Sequence, residues 1–214
     1  MRKILIFLGL LFLFSCSITK NYELYDKAYC PIFPRITKVV VFSFEEGIKE
    51  GTSIRKEGNI QEGASEKLAT FTEEELKKVG CFQIITWEEV KTKIEQNGLL
   101  NIQNISDTET IKKLGEVFKA DAVLKGYVLK YVDKIGGKYG ISSPASVSFI
   151  IHIYDTKDGS LIWSGSYKET QISLSENLLN IDLFFKRGLK WLTSDELAKF
   201  GVSEIIKKIP GVSK

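Results

Sequence analysis

The most constraining feature of the chain lies between residues 145 and 169. From Ala145 to Tyr154, Val147, Phe149, Ile151 and Ile153 fall at alternate positions, the period of a strand with one buried face. The next six residues, Asp155-Thr156-Lys157-Asp158-Gly159-Ser160, contain an Asp-Gly pair, and Leu161 to Glu169 then reads as a second strand. Asp-Gly supplies the positive backbone angles of a tight reversal, so the two strands form an antiparallel hairpin. A lone hairpin cannot shield its apolar face, so further strands and a helical layer are required. Three more strands are legible: Lys38 to Phe44, rich in valine; the short Cys81 to Ile85; and the long Ala122 to Val132.

Helical signals lie between and after these strands. Ala64, Leu68, Phe71, Leu76 and Val79 share a helical face that Gly80 ends. Thr86 with Glu89, Ser106 with Glu109, Ser173 with Glu176 and Thr193 with Glu196 have the spacing of capping boxes. The second opens a helix whose buried stripe is Ile111, Leu114, Gly115 and Phe118. The last opens a helix carrying Leu197, Gly201 and Ile205, stopped by Pro210. The expected fold class is α/β: a mixed sheet of about five strands with helices packed mainly on one face, plus C-terminal helices. Two segments show no apolar period and read as loops, Glu45 to Gly63 and Ile135 to Pro144, each with several glycines.

The N-terminus is of another kind. Arg2 and Lys3 precede the apolar run Ile4 to Phe14. Eleven helical residues span ~16 Å, about half of a bilayer's hydrocarbon core, which suits a signal peptide and not a spanning helix. Leu13-Phe14-Ser15-Cys16 resembles a bacterial lipobox, although Phe14 is bulkier than the usual residue there. The resemblance implies that Cys16 receives a diacylglyceryl group and becomes the acylated mature N-terminus, giving a multi-chain membrane anchor. Ser17, where an aspartate would favour inner-membrane retention, suggests the outer membrane. The domain plan is then residues 1–15 as lipoprotein signal peptide, 16–36 as lipidated tether with Pro31 and Pro34 breaking regular structure, and 37–214 as a single α/β domain.

Removing Arg2 and Lys3 leaves 28 basic residues against 27 acidic ones, interspersed along the chain. A nucleic-acid binder concentrates its positive charge on one face or segment, so that class is excluded. Cys30 and Cys81 remain after Cys16. They form a disulfide, which an oxidising envelope permits, or stay as two buried thiols. With one histidine in the chain, no zinc motif can be assembled, and no cofactor motif is present.

Ala120-Asp121-Ala122-Val123-Leu124-Lys125-Gly126 resembles the strand entry of a superfamily of periplasmic lipoproteins. That superfamily includes the curli-secretion lipoprotein, the lipoprotein activator of a bifunctional penicillin-binding protein and the N-terminal domain of the Tol translocation protein. The hairpin from Ile153 to Trp163 is similar to theirs. Ser143-Pro144-Ala145-Ser146-Val147 and Trp191 to Ala198 look closer still to a subgroup of bacterial envelope lipoproteins with no assigned activity. The resemblance covers roughly residues 36–170 and implies a fold and a location. Its channel-forming members insert long amphipathic hairpins; a spanning strand needs about 9–11 alternating residues, which neither Glu45–Gly63 nor Asp133–Ser143 supplies.

No catalytic constellation emerges. His152 lies mid-strand beside Ile150 and Tyr154, a structural position. Ser164-Gly165-Ser166 lacks the nucleophile-elbow pattern, and Gly136-Gly137-Lys138 lacks both the Walker spacing and a following helix. Glu45-Glu46, Glu73-Glu74-Glu75 and Glu88-Glu89 pair carboxylates, the latter two in helical segments where solvation and the helix dipole explain them. Contact candidates are Tyr139 and Pro144 in the 135–144 loop, and Phe184, Phe185 and Trp191 in the apolar-dense stretch from Leu178 to Leu192. The leading expectation is a membrane-anchored, non-enzymatic adaptor or assembly factor that binds an envelope protein. The alternatives are a homo-oligomeric collar and an envelope enzyme working with carboxylates alone.

Overall fold

A computed structural model of the chain describes residues 36–50, 53–96, 108–137, 140–171 and 191–212. Its elements are β1 (Lys38–Glu46), β2 (Ile48–Glu50), β3 (Ser53–Arg55), α1 (Ala64–Val79), β4 (Gln83–Ile85), α2 (Trp87–Gln96), α3 (Thr108–Phe118), β5 (Ala122–Val132), β6 (Ile135–Gly137), β7 (Gly140–Ser143), β8 (Ser146–Asp155), β9 (Leu161–Thr170) and α4 (Ser194–Ile206). Five strands form one mixed sheet in the order β4-β1-β5-β8-β9. β1 runs parallel to both β4 and β5, while β5, β8 and β9 are antiparallel in sequence.

Side-chain alternation distributes the apolar residues to two layers. Val39, Val41 and Phe44 of β1, Leu124 and Val128 of β5, and Val147, Phe149, Ile151 and Ile153 of β8 enter one core. Leu68 and Leu76 of α1 and Leu197, Val202 and Ile205 of α4 complete it. Val40, Phe42, Val123 and Tyr154 enter a second core with Val90 of α2 and Ile111, Leu114 and Phe118 of α3. The described helices therefore divide between the faces, two on each, and each pair closes one side of the period-two pattern.

The local signals operate as their chemistry requires. Gly80 ends α1 in the left-handed region, φ 71°, where its N–H donates to the Leu76 carbonyl. At α2 the Thr86 N–H donates to Glu89 Oε2 at 2.7 Å, and the Glu89 N–H donates back to Thr86 Oγ1 at 3.4 Å. Thr193 and Glu196 form a reciprocal capping box on α4. Gly159, φ 77°, closes the β8–β9 turn with its N–H on the Asp155 carbonyl. Ser106, Ser173 and Glu176 lie outside the described residues. α4 ends at Ile206, ahead of Pro210, and the following turn buries Ile209 and Val212.

The two segments expected as loops are ribbons. β2 pairs antiparallel with β3, and β6 with β7, in strands of three or four residues. Strands this short hold barely one repeat of a two-residue period, so the sequence pattern cannot register them. They also fall well below the about 9–11 residues of a membrane-spanning strand. No helix among the described residues is long and apolar enough to cross a membrane.

Candidate functional site

Both ribbons leave the sheet at the same end. β1 follows β5 up to the Glu46–Val128 pair, and the Gly47 N–H donates to the Val128 carbonyl at 2.7 Å. The chain departs there as β2–β3 and returns one residue further along β5. The Glu57 N–H donates to the Leu129 carbonyl at 2.8 Å, the Tyr131 N–H to Asn59 at 2.9 Å, and the Gln61 N–H to Tyr131 at 2.9 Å. Ile60 and Tyr131 form a parallel bridge, so residues 57–61 resume the ladder that β1 left. The ribbon is thus an insertion into a continuous line of backbone hydrogen bonds. Gly47 makes the exit possible: its φ is 77°, and a side chain there would collide with Ile54. The second ribbon, β6–β7, departs beyond the Val132–Ser146 pair.

Each ribbon exposes one isoleucine. Ile54 is 64% exposed and Ile135 63%, two of the three large hydrophobic residues exposed among the described ones. Below them the base is fastened by specific hydrogen bonds. Asp133 Oδ1 accepts from its neighbour's N–H at Lys134 and from the Ser194 N–H that opens α4, both at 2.9 Å. The Lys134 ammonium donates to the Trp191 carbonyl. The Leu192 N–H donates to Gln171 Oε1 at 2.8 Å, and the Gln171 N–H to the Ala145 carbonyl at 3.0 Å. Tyr131 donates to Asp195 Oδ1 at 2.7 Å, and Lys67 of α1 meets the same oxygen at 3.0 Å. Burial and the adjoining Asp195 carboxylate both push the Tyr131 hydroxyl pKa upward, so it stays a donor.

Two of the contact residues expected from the sequence, Pro144 before β8 and Trp191 before α4, are both half-buried, and the Trp191 carbonyl receives Lys134 at the ribbon base. Tyr139, Phe184, Phe185, Cys16 and Cys30 lie outside the described residues. Cys81 precedes the edge strand β4, packs against the first core and is disulfide-bonded. The sequence reading missed Ile54 and Ile135, because only the ribbon geometry shows that they point outward.

Titratable groups gather on the sheet face opposite α1 and α4. Lys125 is 2% exposed, and its ammonium lies 2.8 Å from Glu45 Oε1 and over the Tyr127 ring. His152 Nδ1 is 2.9 Å from the Tyr154 hydroxyl. Burial, then the Lys125 charge, hold the His152 imidazole below its ordinary pKa. Lys125, Glu45, His152 and Tyr154 each have a protein neighbour within the cluster. Among the described residues no group of three His, Cys, Asp or Glu side chains is arranged to hold a metal ion.

Between 64% and 87% of the chain aligns with solved structures of low sequence identity. The PelC dodecamer from Paraburkholderia phytofirmans aligns at a TM-score of 0.51 and 14% identity, covering 87% of this chain and 94% of that one. The lipoprotein GNA1162 from Neisseria meningitidis gives 0.45 and 21% identity over 72% of this chain and 99% of its own. The LpoB C-terminal domain from Escherichia coli gives 0.41 and 17% identity over 64% and 84%. At these identities the PelC likeness speaks to fold alone. No curated protein matches the chain. The GNA1162-like lipoprotein family model matches residues 63–183, from the residue before α1 past the end of β9 and over more than half of the sequence. The chain belongs to the GNA1162-like lipoprotein family.

Proposed function

We propose that this protein is a lipid-anchored envelope lipoprotein that faces the periplasm and works as a non-enzymatic adaptor or assembly factor. The observation that carries the reading is the lipoprotein family membership of the domain, joined to a chain whose N-terminus ends its apolar run in Leu13-Phe14-Ser15-Cys16. Cys16 carries the anchor, on the outer membrane, and residues 16–36 give the domain reach from it. Cys30 is the disulfide partner of Cys81. The ribbon end is the docking surface: two exposed isoleucines stand on ribbons whose base is rigidly tied to β5, β8 and α4, so little ordering entropy is lost on contact.

In-cell crosslinking of a tagged full-length chain tests this reading. A defined foreign partner is expected, lost in Cys16→Ala, which cannot be lipidated, and reduced in Ile54→Ser/Ile135→Ser. A partner captured equally by all three proteins would refute both the anchor requirement and the ribbon surface. A second reading, a homo-oligomeric collar, is favoured by one specific observation, the overlap with a chain that assembles as a dodecamer. Crosslinks between copies alone would select it.

A further inference from the structure

His152 sits directly opposite Lys125 in the antiparallel β5–β8 pair, so the two side chains rise from adjacent strands on one face. The hydroxyls of Tyr127 and Tyr154 are hydrogen-bonded to each other, and Tyr154 in turn meets His152 Nδ1 at 2.9 Å. The rings of Tyr127 and Tyr154 also hold the imidazole edge-on, at centroid distances of 5.3 and 5.8 Å. A neutral imidazole completes this chain: Tyr127 donates to Tyr154, and Tyr154 donates to an unprotonated Nδ1. Among the described residues the charged groups facing His152 are Lys125 and, through it, the single carboxylate Glu45. At neutral pH the cluster carries one cation and one anion, and its charges cancel.

We propose that this cluster is an acid-sensitive latch on the pairing of β5 with β8. Protonating Nδ1 turns an acceptor into a donor. Three hydroxyl and imidazole groups then share two contacts with a donor at each end, so whether Tyr154 accepts twice or turns to donate to Tyr127, one tyrosine proton loses its place in the chain, and a second cation appears beside buried Lys125. The folded imidazole binds its proton less readily than an unfolded one. Stability conferred by the cluster is therefore present at neutral pH and lost as pH falls below about 6.5, the ordinary histidine value. Each unit by which the folded value is depressed raises the unfolded fraction about tenfold in acid. The cluster borders the ribbon end, because Glu45, held by Lys125, lies two residues before the Gly47 exit of β1. The latch is independent of what the domain docks.

The test exploits the fact that the chain has one histidine. In the full chain, purified in detergent without a polyhistidine tag, the imidazole proton resonance is followed against pH. It is expected to titrate below the ordinary value, and in Lys125→Met to move back toward it. Thermal midpoints of the parent are expected to fall between pH 7 and pH 5, and those of His152→Gln to stay flat over that range. An imidazole titrating at or above its ordinary value, or an equal acid loss in His152→Gln, overturns the latch. The titration of the parent protein decides the matter even where a variant fails to fold.

Discussion

Gly126 is the position where a single methyl group should be most informative. It pairs with Phe44 across β1 and β5, and a Cβ built on it would lie far inside van der Waals contact of Phe44 Cδ1 and Cε1. Phe44 is 3% exposed and meets Phe149 edge-on at 6.3 Å, so the ring has packed atoms behind it and no empty space to move into. Without that ring, replacing a strand glycine by alanine would stabilise the protein by about 0.4–1 kcal/mol, because the unfolded chain loses freedom. With it, overpacking costs about 1–3 kcal/mol, and the sign of the effect reverses. For a domain of this size the midpoint of Gly126→Ala should fall by roughly 2–12 °C. Urea unfolding followed by circular dichroism gives the free energy. A double-mutant cycle with Phe44→Leu identifies its source, because the shortened side chain makes room for the new methyl. The expected coupling is about 0.5–3 kcal/mol, with Phe44→Leu rescuing part of the loss. A stabilising Gly126→Ala, or a cycle additive within about 0.5 kcal/mol, would refute the account.

Three further outcomes follow from named contacts. Asp121 Oδ2 accepts from the Thr37 N–H, the Thr37 hydroxyl and the Lys38 N–H at 2.8–2.9 Å, tying the start of β1 to the start of β5; Asp121→Ala should cost about 1–3 kcal/mol in urea unfolding. Burial alone would raise the Asp121 carboxyl, but these donors hold it below its usual range, so its contribution is present above the ordinary aspartate pKa and disappears as pH falls through the lowered one. The pH dependence of stability in Asp121→Asn should be correspondingly weaker at the acid end. Thr193→Ala removes one half of the α4 capping box and should cost about 0.5–2 kcal/mol, with Thr193→Ser recovering most of it. If Cys81 is joined to Cys30, alkylation without reduction leaves both unlabelled in peptide mass analysis, and Cys81→Ser loses about 2–5 kcal/mol.

The legible parts of this fold are those in which a side-chain pattern and a backbone requirement coincide. Val147, Phe149, Ile151 and Ile153 alternate because β8 has a buried face, and Asp158-Gly159 reverses the chain where Gly159 adopts φ 77°. The resemblance residues also have physical work within the domain: Asp121 gathers three donors, Gly126 clears the Phe44 ring, and Ala120 fits the α2–α3 core. Lys125 was not legible as a buried residue. A lysine within an apolar strand gives no sign of its carboxylate partner when that partner, Glu45, is eighty positions away. At the ribbon end the sequence pointed to the 135–144 loop through Tyr139 and Pro144, and to Trp191, but not to the ribbon geometry or to Ile54. The base joins the Asp133 carboxylate to the Ser194 N–H and the Lys134 ammonium to the Trp191 carbonyl, and the backbone partner in each pair is one that any residue supplies and no pattern records.

That backbone logic separates stability from docking, and a deletion measures the separation. Gly47 and Glu57 bond to consecutive residues of β5, Val128 and Leu129, so the two ends of the first ribbon lie about one strand residue apart, roughly 3.3 Å. Replacing residues 48–56 by a single glycine leaves both ladder hydrogen bonds in place and removes exposed Ile54 and the solvent-exposed Lys56–Glu46 pair, which contributes about 0–1 kcal/mol. Shortening the connection also lowers its closure entropy, a term that changes slowly with length and favours the shortened chain. The deletion should therefore unfold within about 1 kcal/mol of the parent in urea. Its crosslinks to a foreign partner should be reduced, while membrane fractionation through Cys16 persists. A deletion that unfolds would make the ribbon part of the sheet's support. One that folds and keeps its partner undiminished would take the first ribbon out of the docking surface, because an inserted ribbon that bears neither load nor contact has no physical reason to be held so firmly at its base.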